Sequence, residues 1–261
     1  MNFINEGLVA SFVLLIIVLI EILIALFTTR AGRYLPKIRK IPGLEALEEA
    51  VGRATELGRP ICYTTGLGGI RDQYYYQTVA GLSILGYTTE MAAKYGAKLL
   101  YFPYDPTIIP MAHEVMEQGY IRAGKPEAFN PDNIIYLGGD QFPWAFGVLG
   151  TIYREQTAAN IHMGPFWAES LILAEAGFYT GAIQIAGTAN YHQIQFFVVA
   201  SDYALIGEEL MAAGAYLSKD PTQIGSLWGA DFSKLTAMLL VVIGVVLTAA
   251  GVTVLNEFLA L

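Results

Sequence analysis

Two long apolar blocks, one near each end of the chain, constrain the fold more than any other feature. The first block covers residues 8–27 and the second covers residues 235–255. Because an α-helix rises about 1.5 Å per residue, either block is long enough to cross a hydrocarbon core about 30 Å thick. We therefore expect an N-terminal and a C-terminal transmembrane helix in a lipid bilayer, with the remaining residues folded between them.

A cleaved signal peptide is the competing interpretation of the first block. A signal peptide begins with basic residues, has a shorter apolar run and ends at a site of small residues. This chain instead begins with the acidic segment MNFINEG, and the basic segment TTRAGRY follows the block. These features favour a helix that stays in the membrane.

Basic residues cluster directly after the first block, and the segment before the block has none. This basic collar consists of Arg30, Arg33, Lys37, Arg39 and Lys40. Because Lys and Arg near membrane ends favour the cytoplasmic side, we expect a two-pass cell-membrane protein with a cytoplasmic domain and both termini outside. The single cysteine, Cys62, agrees with a cytoplasmic domain, where disulfides are rare. The net charge of −8 argues against nucleic acid as a partner.

The basic collar leads into a segment with the pattern of an amphipathic helix. Leu44, Leu47, Val51 and Ala54 recur at helical spacing, and charged side chains occupy the other face. Gly58 follows and is expected to end the helix in a left-handed conformation. Residues 30–58 are therefore predicted to be the basic collar and a linker helix.

Short apolar runs alternate with longer helical segments from residue 59 onward. Five runs are predicted to be strands: residues 60–64, 98–102, 133–137, 159–163 and 182–186. A sixth run, residues 195–201, fits either a strand or the start of a helix. Apolar strands separated by helices are typical of a parallel sheet covered on both faces. Residues 59–217 are therefore predicted to form a Rossmann-like α/β domain of five to six strands, and residues 218–234 a juxtamembrane linker.

Glycines and short polar residues follow the predicted strands, where parallel sheets bind ligands. The candidate ligand-binding residues are Gly66, Gly68, Gly69, Arg71, Gly139, Thr188 and Asn190. Gly66 and Gly68 match two glycines of the dinucleotide fingerprint, but Arg71 occupies the third position. Arg71 is expected to open a helix and to be able to face a phosphate. Turns and helix caps explain the same residues without a ligand, so a small polar ligand and any cofactor stay open.

Acid–base chemistry requires titratable side chains that converge in a cleft. The candidates near predicted strand ends are Asp105, Asp140, Glu169 and His192. The two aspartates are equally suitable as helix N-caps. His162 lies inside a predicted strand, where a core histidine is the usual interpretation. No spacing typical of a metal site links these residues, so no metal is expected.

Small residues recur every seven positions along the second apolar block, at Ala237, Gly244 and Gly251. Such a stripe allows another helix to pack closely. Glu21 lies inside the first block, where an acidic side chain costs about 2.5–3.5 kcal/mol to insert and requires a partner. Another copy of the chain or the basic collar can supply that partner. The stripe and the 16 tyrosines indicate a homo-oligomer.

Four stretches carry a resemblance to a known family: IPGLEALEEAVGRATELGRPI, YTTGLGG, NIIYLGGDQF and IQIAGTANYHQIQFFVVASDY. They resemble an uncharacterised prokaryotic family of membrane-anchored proteins, known only as a domain of unknown function. The resemblance covers nearly the whole chain, and it implies no activity and no catalytic residues.

No catalytic motif is complete, so the favoured function is a self-associating membrane scaffold or binding module. The alternative is a membrane-bound enzyme or sensor that binds a nucleotide-like or other small polar ligand at the strand ends. A transporter is disfavoured because two membrane helices are too few, unless several copies build a pore.

Overall fold

A five-stranded parallel sheet forms the centre of the larger of two units into which the chain divides. The computed structural model describes residues 7–39 and 41–252. The larger unit is Ile38–Ser218, and the smaller one joins the residues up to Lys37 with those from Lys219 onward. Lys40 of the basic collar and residues 253–255 of the predicted second membrane helix lie outside the described residues.

The strands of the sheet are short and lie mostly where apolar runs predicted them. They are β1 Ile61–Thr64, β2 Leu99–Tyr101, β3 Ala159–Met163, β4 Ile183–Thr188 and β5 Tyr203–Ile206. Across the sheet the order is β2-β1-β3-β4-β5, and every neighbouring pair is parallel. The chain first moves from β1 to β2 and then crosses back to β3, so the winding direction reverses at β1.

Helices connect the strands and flank the sheet, which confirms the predicted α/β class. The α-helices of the described residues are α1 Val9–Arg30, α2 Pro42–Leu57, α3 Tyr75–Tyr95, α4 Ile109–Arg122, α5 Gln141–Glu155, α6 Glu169–Thr180, α7 Tyr191–Ala200, α8 Glu208–Ser218 and α9 Pro221–Ala249.

Each face of the sheet has its own hydrophobic core. One core packs α2, α3, α4 and α8 against the face that carries Tyr63, Ile161 and Ile185. The other packs α5, α6 and α7 against the opposite face, around Trp144 and Phe197. Successive side chains of a strand point to opposite faces, so strands that are apolar throughout require a helical layer on both sides.

The amphipathic helix predicted before the first strand is α2. The four apolar residues of the pattern are buried, and Gly58 ends the helix in a left-handed conformation with φ of 63°. This helix is part of the larger unit rather than a separate linker, because its apolar face packs into the core beside the sheet.

The structure corrects one predicted strand and decides the run that fitted either a strand or a helix. Residues 133–137 form a single bridge, between Ile134 and Tyr101, because a 3₁₀ turn at Pro131–Asn133 takes up the start of the run. Residues 195–200 belong to α7, and the last strand, β5, follows that helix. β5 was not predicted; it lies at the edge of the sheet, and only Leu205 among its four residues is buried.

The smaller unit contains α1 and α9, which pack against each other in opposite directions. Both helices are long and apolar enough to cross a membrane. Gly225 lies against Thr29, and Gly229 lies against Ile22. A Cβ atom at Gly229 would come within 2.9 Å of the Ile22 Cα, so only glycine permits this close approach.

The start of α9 differs from the sequence-based prediction. Residues 221–234 were predicted to be a linker because they are polar and turn-rich, but they form the first turns of α9. Asp220 caps the helix by accepting a hydrogen bond from the backbone N–H of Thr222 at 2.9 Å. Pro221 occupies the first helical position, where a missing N–H is tolerated. The proline that suggested a turn therefore marks the start of a helix.

Glu21 finds its partner within the same chain, where the hydroxyl of Thr236 donates to one carboxylate oxygen. Neither another copy nor the basic collar is needed for this bond. Thr236 lies inside the predicted second membrane helix, but the sequence does not show which residue of that helix faces Glu21. The second carboxylate oxygen is buried without a hydrogen-bond partner among the described residues. Of the predicted small-residue stripe, Ala237 and Gly244 lie in α9, whereas Gly251 lies beyond its end with φ of 77°.

Candidate functional site

The turns that follow β1, β3 and β4 form the edge where a parallel sheet usually binds ligands. The winding direction reverses between β1 and β3, and in doubly wound sheets the binding crevice lies at such a reversal. The predicted ligand-binding glycines Gly66, Gly68 and Gly69 lie in the turn after β1. We call this region the carboxyl edge.

The turn after β1 is packed directly against the turn after β3. The backbone N–H of Leu67 donates to the carbonyl oxygen of Pro165 at 2.9 Å. A Cβ atom on Gly66 would lie 2.1 Å from that same oxygen, and one on Gly164 would lie 2.1 Å from the Thr65 carbonyl. These glycines are therefore required by the contact between two turns, which fills the crevice with the protein's own backbone.

The rest of the glycine turn is also bonded within the protein. The backbone N–H of Gly69 donates to the carboxylate of Asp72, and the Gly69 Cα lies against the carboxylate of Asp105. The nearby helix α3 begins only at Tyr75, so Arg71 does not open a helix as predicted; it is exposed in the preceding loop. Two carboxylates beside this turn disfavour a phosphate, because like charges repel.

A buried glutamine on α3, Gln77, ties the turn after β4 to the other two. Its amide nitrogen donates to the Asn190 side chain at 2.9 Å, and its amide oxygen accepts from the Ala189 backbone N–H at 2.8 Å. Asn190 in turn donates to the carbonyl of Phe166 at 2.8 Å, and Thr188 accepts from the Asn190 N–H at 3.2 Å. The predicted ligand residues Thr188 and Asn190 thus belong to a network that holds the turns together.

Replacing Gln77 by Ala is expected to lower the free energy of unfolding of the α/β unit by about 2–3 kcal/mol. The substitution removes the partners of the Asn190 amide oxygen and of the Ala189 N–H, two partly buried groups, and unpaired groups of this kind are costly to bury. Chemical denaturation of the detergent-solubilised chain measures the change. Gln118→Ala, an exposed glutamine on α4, is the matched control and should change the free energy by less than about 0.5 kcal/mol. Equal effects of the two variants would contradict the role of Gln77.

Three of the four predicted catalytic candidates surround one tyrosine, Tyr104, in the turn after β2. Burial raises the pKa of the Tyr104 hydroxyl, and the negative charges of Asp140, Glu169 and Asp105 raise it further. The ring of Tyr104 packs edge-on against Trp144 at 6.0 Å between centroids. Tyr104 was missed by sequence analysis because a tyrosine in a turn carries no motif. This part of the carboxyl edge favours positive or neutral ligands over anions.

The carboxylates around Tyr104 also have structural roles. Asp105 accepts hydrogen bonds from the backbone N–H and hydroxyl of Thr107, each at 2.7 Å. Glu169 accepts from the Trp167 N–H at 2.8 Å and from the Gln141 amide at 2.6 Å. Burial raises the pKa of the Glu169 carboxyl, and these two hydrogen bonds oppose that shift. Such contacts are what helix caps and inter-helix ties require: both bonds to Asp105 go to Oδ1, and each oxygen of Glu169 accepts one bond.

His192 and Gly139 are not among the side chains whose charges act on Tyr104. His192 is exposed on α7, with its ring 3.8 Å from that of Tyr191 between centroids, and Gly139 is exposed just before α5. Asp140, which belongs to the cluster around Tyr104, precedes α5 without capping it through its side chain. Within residues 7–39 and 41–252, no three His, Cys, Asp or Glu side chains are close enough together to hold a metal ion.

His162 is a fully buried histidine on β3. Its Nδ1 lies 3.3 Å from the hydroxyl of Thr64, and its ring packs between those of Phe166 and Phe197. In the described part of the chain its Nε2 has no hydrogen-bond partner. Burial lowers the pKa of His162 from 6.5 to about 4, so the ring is neutral at pH 7. The predicted interpretation as a core histidine agrees with this position.

The low pKa of His162 makes the α/β unit less stable in acid. Below pH 6.5 the unfolded chain binds a proton on this residue that the folded chain rejects until about pH 4. Stability should therefore fall over this range by about 3 kcal/mol from His162 alone. Between pH 7 and pH 4, wild type should lose about 3 kcal/mol more unfolding free energy than His162→Gln, which has no histidine at this position. Denaturation of both proteins at the two pH values measures this loss. Parallel pH dependences of the two proteins would contradict the assignment.

The fold and the carboxyl edge define a class of protein: a doubly wound α/β domain in a chain that also has two helices apolar enough to cross a membrane. The chain belongs to the family described as a domain of unknown function (DUF6754), which matches residues 1–259. This membership confirms the resemblance that the four sequence stretches indicated. No curated protein and no solved structure matches the chain.

Proposed function

We propose that this chain is a membrane-anchored scaffold that associates with copies of itself through helix α5. The observation that carries the proposal is a row of exposed aromatic side chains on α5, next to a glycine that the chain's own packing does not require. In this proposal α1 and α9 are the anchor, and the α/β unit supplies the contact surface.

The anchor is supported by the length and the apolar surface of α1 and α9. Large apolar side chains on both helices are exposed, among them Leu15 at 63% and Val241 at 67%, and lipid tails are the natural cover for them. The basic residues directly after α1 favour the cytoplasm for the α/β unit, with both termini outside.

The proposed orientation can be tested with cysteine labelling, because the only native thiol does not interfere. Cys62 is fully buried on β1, and burial raises the pKa of its thiol, so it should not react in the folded protein. We expect a membrane-impermeant maleimide to label Gly7→Cys in intact cells but Glu127→Cys only after permeabilisation. Wild type serves as the blank in both conditions, and the reverse labelling pattern would contradict the orientation.

Helix α5 has an apolar face in the core and a second one at the surface. Trp144 and Val148 are fully buried, whereas Phe142, Phe146 and Tyr153 are exposed at 49%, 55% and 41%. The exposed three follow helical spacing along one side, so they form a stripe rather than isolated residues. Exposed apolar residues are ordinary when single, but a contiguous patch marks an interaction surface.

Gly150 lies on this stripe, one turn from Phe146 and Tyr153. A Cβ atom at Gly150 would meet nothing within 4 Å, so no contact inside the chain requires a glycine. A glycine inside a helix costs about 0.5–1 kcal/mol relative to alanine. A close approach by another molecule would explain why the position lacks a side chain.

A second α5 is the partner that fits this stripe best. In an antiparallel pair centred near Val148, Phe146 of each copy lies opposite the open position at Gly150 of the other. The same arrangement brings Asp140 at one end within about one turn of Arg154 at the other end. A two-fold pair needs a surface that is complementary to itself in this way.

A bilayer is the other candidate occupant of an exposed apolar stripe. Membrane surfaces attract clusters of Lys and Arg, but Arg154 is the only basic residue of α5. Arg154 bonds to the adjacent Glu155 at 3.2 Å, an exposed contact of small energetic value that an interface can replace. The charge of α5 therefore favours a second copy.

Gly150→Ala is expected to weaken association about tenfold, which is about 1.4 kcal/mol, while stabilising α5. The methyl group fills the space that Phe146 of the second copy needs, and it removes the helix cost of glycine. The dissociation constant of the detergent-solubilised chain is measured by analytical ultracentrifugation, and stability by denaturation.

Gly52→Ala is the matched control, because Gly52 lies inside α2 and its Cβ would also meet nothing within 4 Å. It should raise stability without changing association. Phe146→Ser should give monomers, whereas Ile121→Ser on α4, exposed to a similar degree, should not. A wild-type protein that is monomeric at every concentration would overturn the proposal, as would equal effects of Gly150→Ala and Gly52→Ala.

A membrane-bound enzyme or sensor with a ligand at the carboxyl edge is the alternative function. The carboxylates around Tyr104 favour it, since they provide a polar, negatively charged surface. The contacts between the turns weigh against it, because the crevice between β1 and β3 is occupied by the backbone of Gly66 and Pro165.

A further inference from the structure

A groove of about 490 Å³ lies between α6 and the segment that joins α7 to β5. Pockets for small molecules are typically about 300–1,000 Å³, so the groove has the size of a ligand site. It is formed by helices other than α5 and lies away from the turns of the carboxyl edge. Nothing in the predicted set of site residues pointed to it.

The groove combines acidic and aromatic side chains. Glu175 and Asp202 contribute two carboxylates, and Phe178 and Tyr179 contribute two rings, while no basic residue lines it among the described part of the chain. Phe178 is 76% exposed and Tyr179 is 68% exposed, so their ring faces are accessible. Aromatic faces and carboxylates both attract cations, and such contacts strengthen where water is excluded.

Buried groups below the groove hold one of its carboxylates in place. Asp202 accepts a hydrogen bond from the backbone N–H of Gln184 on β4 at 2.8 Å. The Gln184 side chain donates to the carbonyl of Ala200, which also lines the groove, at 2.8 Å. The hydroxyl of Ser201, in the wall, is buried and has no hydrogen-bond partner among the described residues. This hydroxyl has almost no surface open to the groove, so it belongs to the wall rather than to the binding surface.

We propose that this groove binds an organic cation, an ammonium or guanidinium group on an apolar stem. The carboxylates of Glu175 and Asp202 hold the charged group, and the rings of Phe178 and Tyr179 cover the stem. This site goes beyond the scaffold function and does not depend on it, because self-association is assigned to α5.

The proposal is tested with 2-phenylethylammonium as the probe and uncharged 2-phenylethanol as its matched control. Both are titrated by calorimetry into the full-length chain in phosphatidylcholine nanodiscs. We expect saturable binding of the cation, at least about tenfold tighter than that of the alcohol, which corresponds to about 1.4 kcal/mol. Equal binding of the two probes, or no saturable binding of the cation, would overturn the proposal.

Substitutions then assign the binding to the groove. The double variant Glu175→Gln with Asp202→Asn removes both charges, and the asparagine still accepts the Gln184 N–H. It should bind the cation at least about tenfold more weakly. Glu127→Gln with Asp132→Asn, two exposed residues elsewhere, changes the net charge equally and should leave binding unchanged. Phe178→Leu keeps an apolar surface but removes the ring, so a several-fold loss is expected. Similar losses in the groove and control double variants would contradict the site.

Discussion

The direct contact between the turns after β1 and β3 is the constraint on which the carboxyl edge depends. Leu67 donates to the Pro165 carbonyl, and the backbone is so close that neither Gly66 nor Gly164 can carry a side chain. The Gln77 network then attaches the turn after β4 to the same unit. In other doubly wound folds this crevice holds a nucleotide. Here the backbone of the two turns occupies it, held by hydrogen bonds within the protein.

Because the turns close the carboxyl edge, the exposed surfaces suited to binding lie on the helices of one face of the sheet. α5 carries exposed aromatic residues beside Gly150, and α6 borders a groove with two carboxylates and two rings. Both features lie on the face that also buries Trp144 and His162. The proposed scaffold function rests on the first of these surfaces and the proposed cation site on the second.

Much of the fold could be predicted because it follows from periodicity. The two apolar blocks, the amphipathic helix that ends at Gly58 and four of the five strands have patterns that burial imposes on local sequence. The prediction was wrong for residues 133–137, where a 3₁₀ turn takes up the start of an apolar run. The run at residues 195–201 fitted either a strand or a helix, and packing decided for the helix up to Ala200. The candidate site was predicted less well, since Asp105, Asp140 and Glu169 come together but Tyr104 and Gln77 carry no motif.

The sequence by itself determined the α/β class and the two helices long enough for a membrane, because both depend on hydrophobic patterns repeated along the chain. Only the tertiary structure decided the role of the glycines after β1. The same Gly66 and Gly68 suit a phosphate or a neighbouring turn, and what separates the two is the position of Pro165, about 100 residues away in the chain. The partner of Glu21 was likewise decided by packing, since Thr236 comes beside it only when α1 and α9 meet.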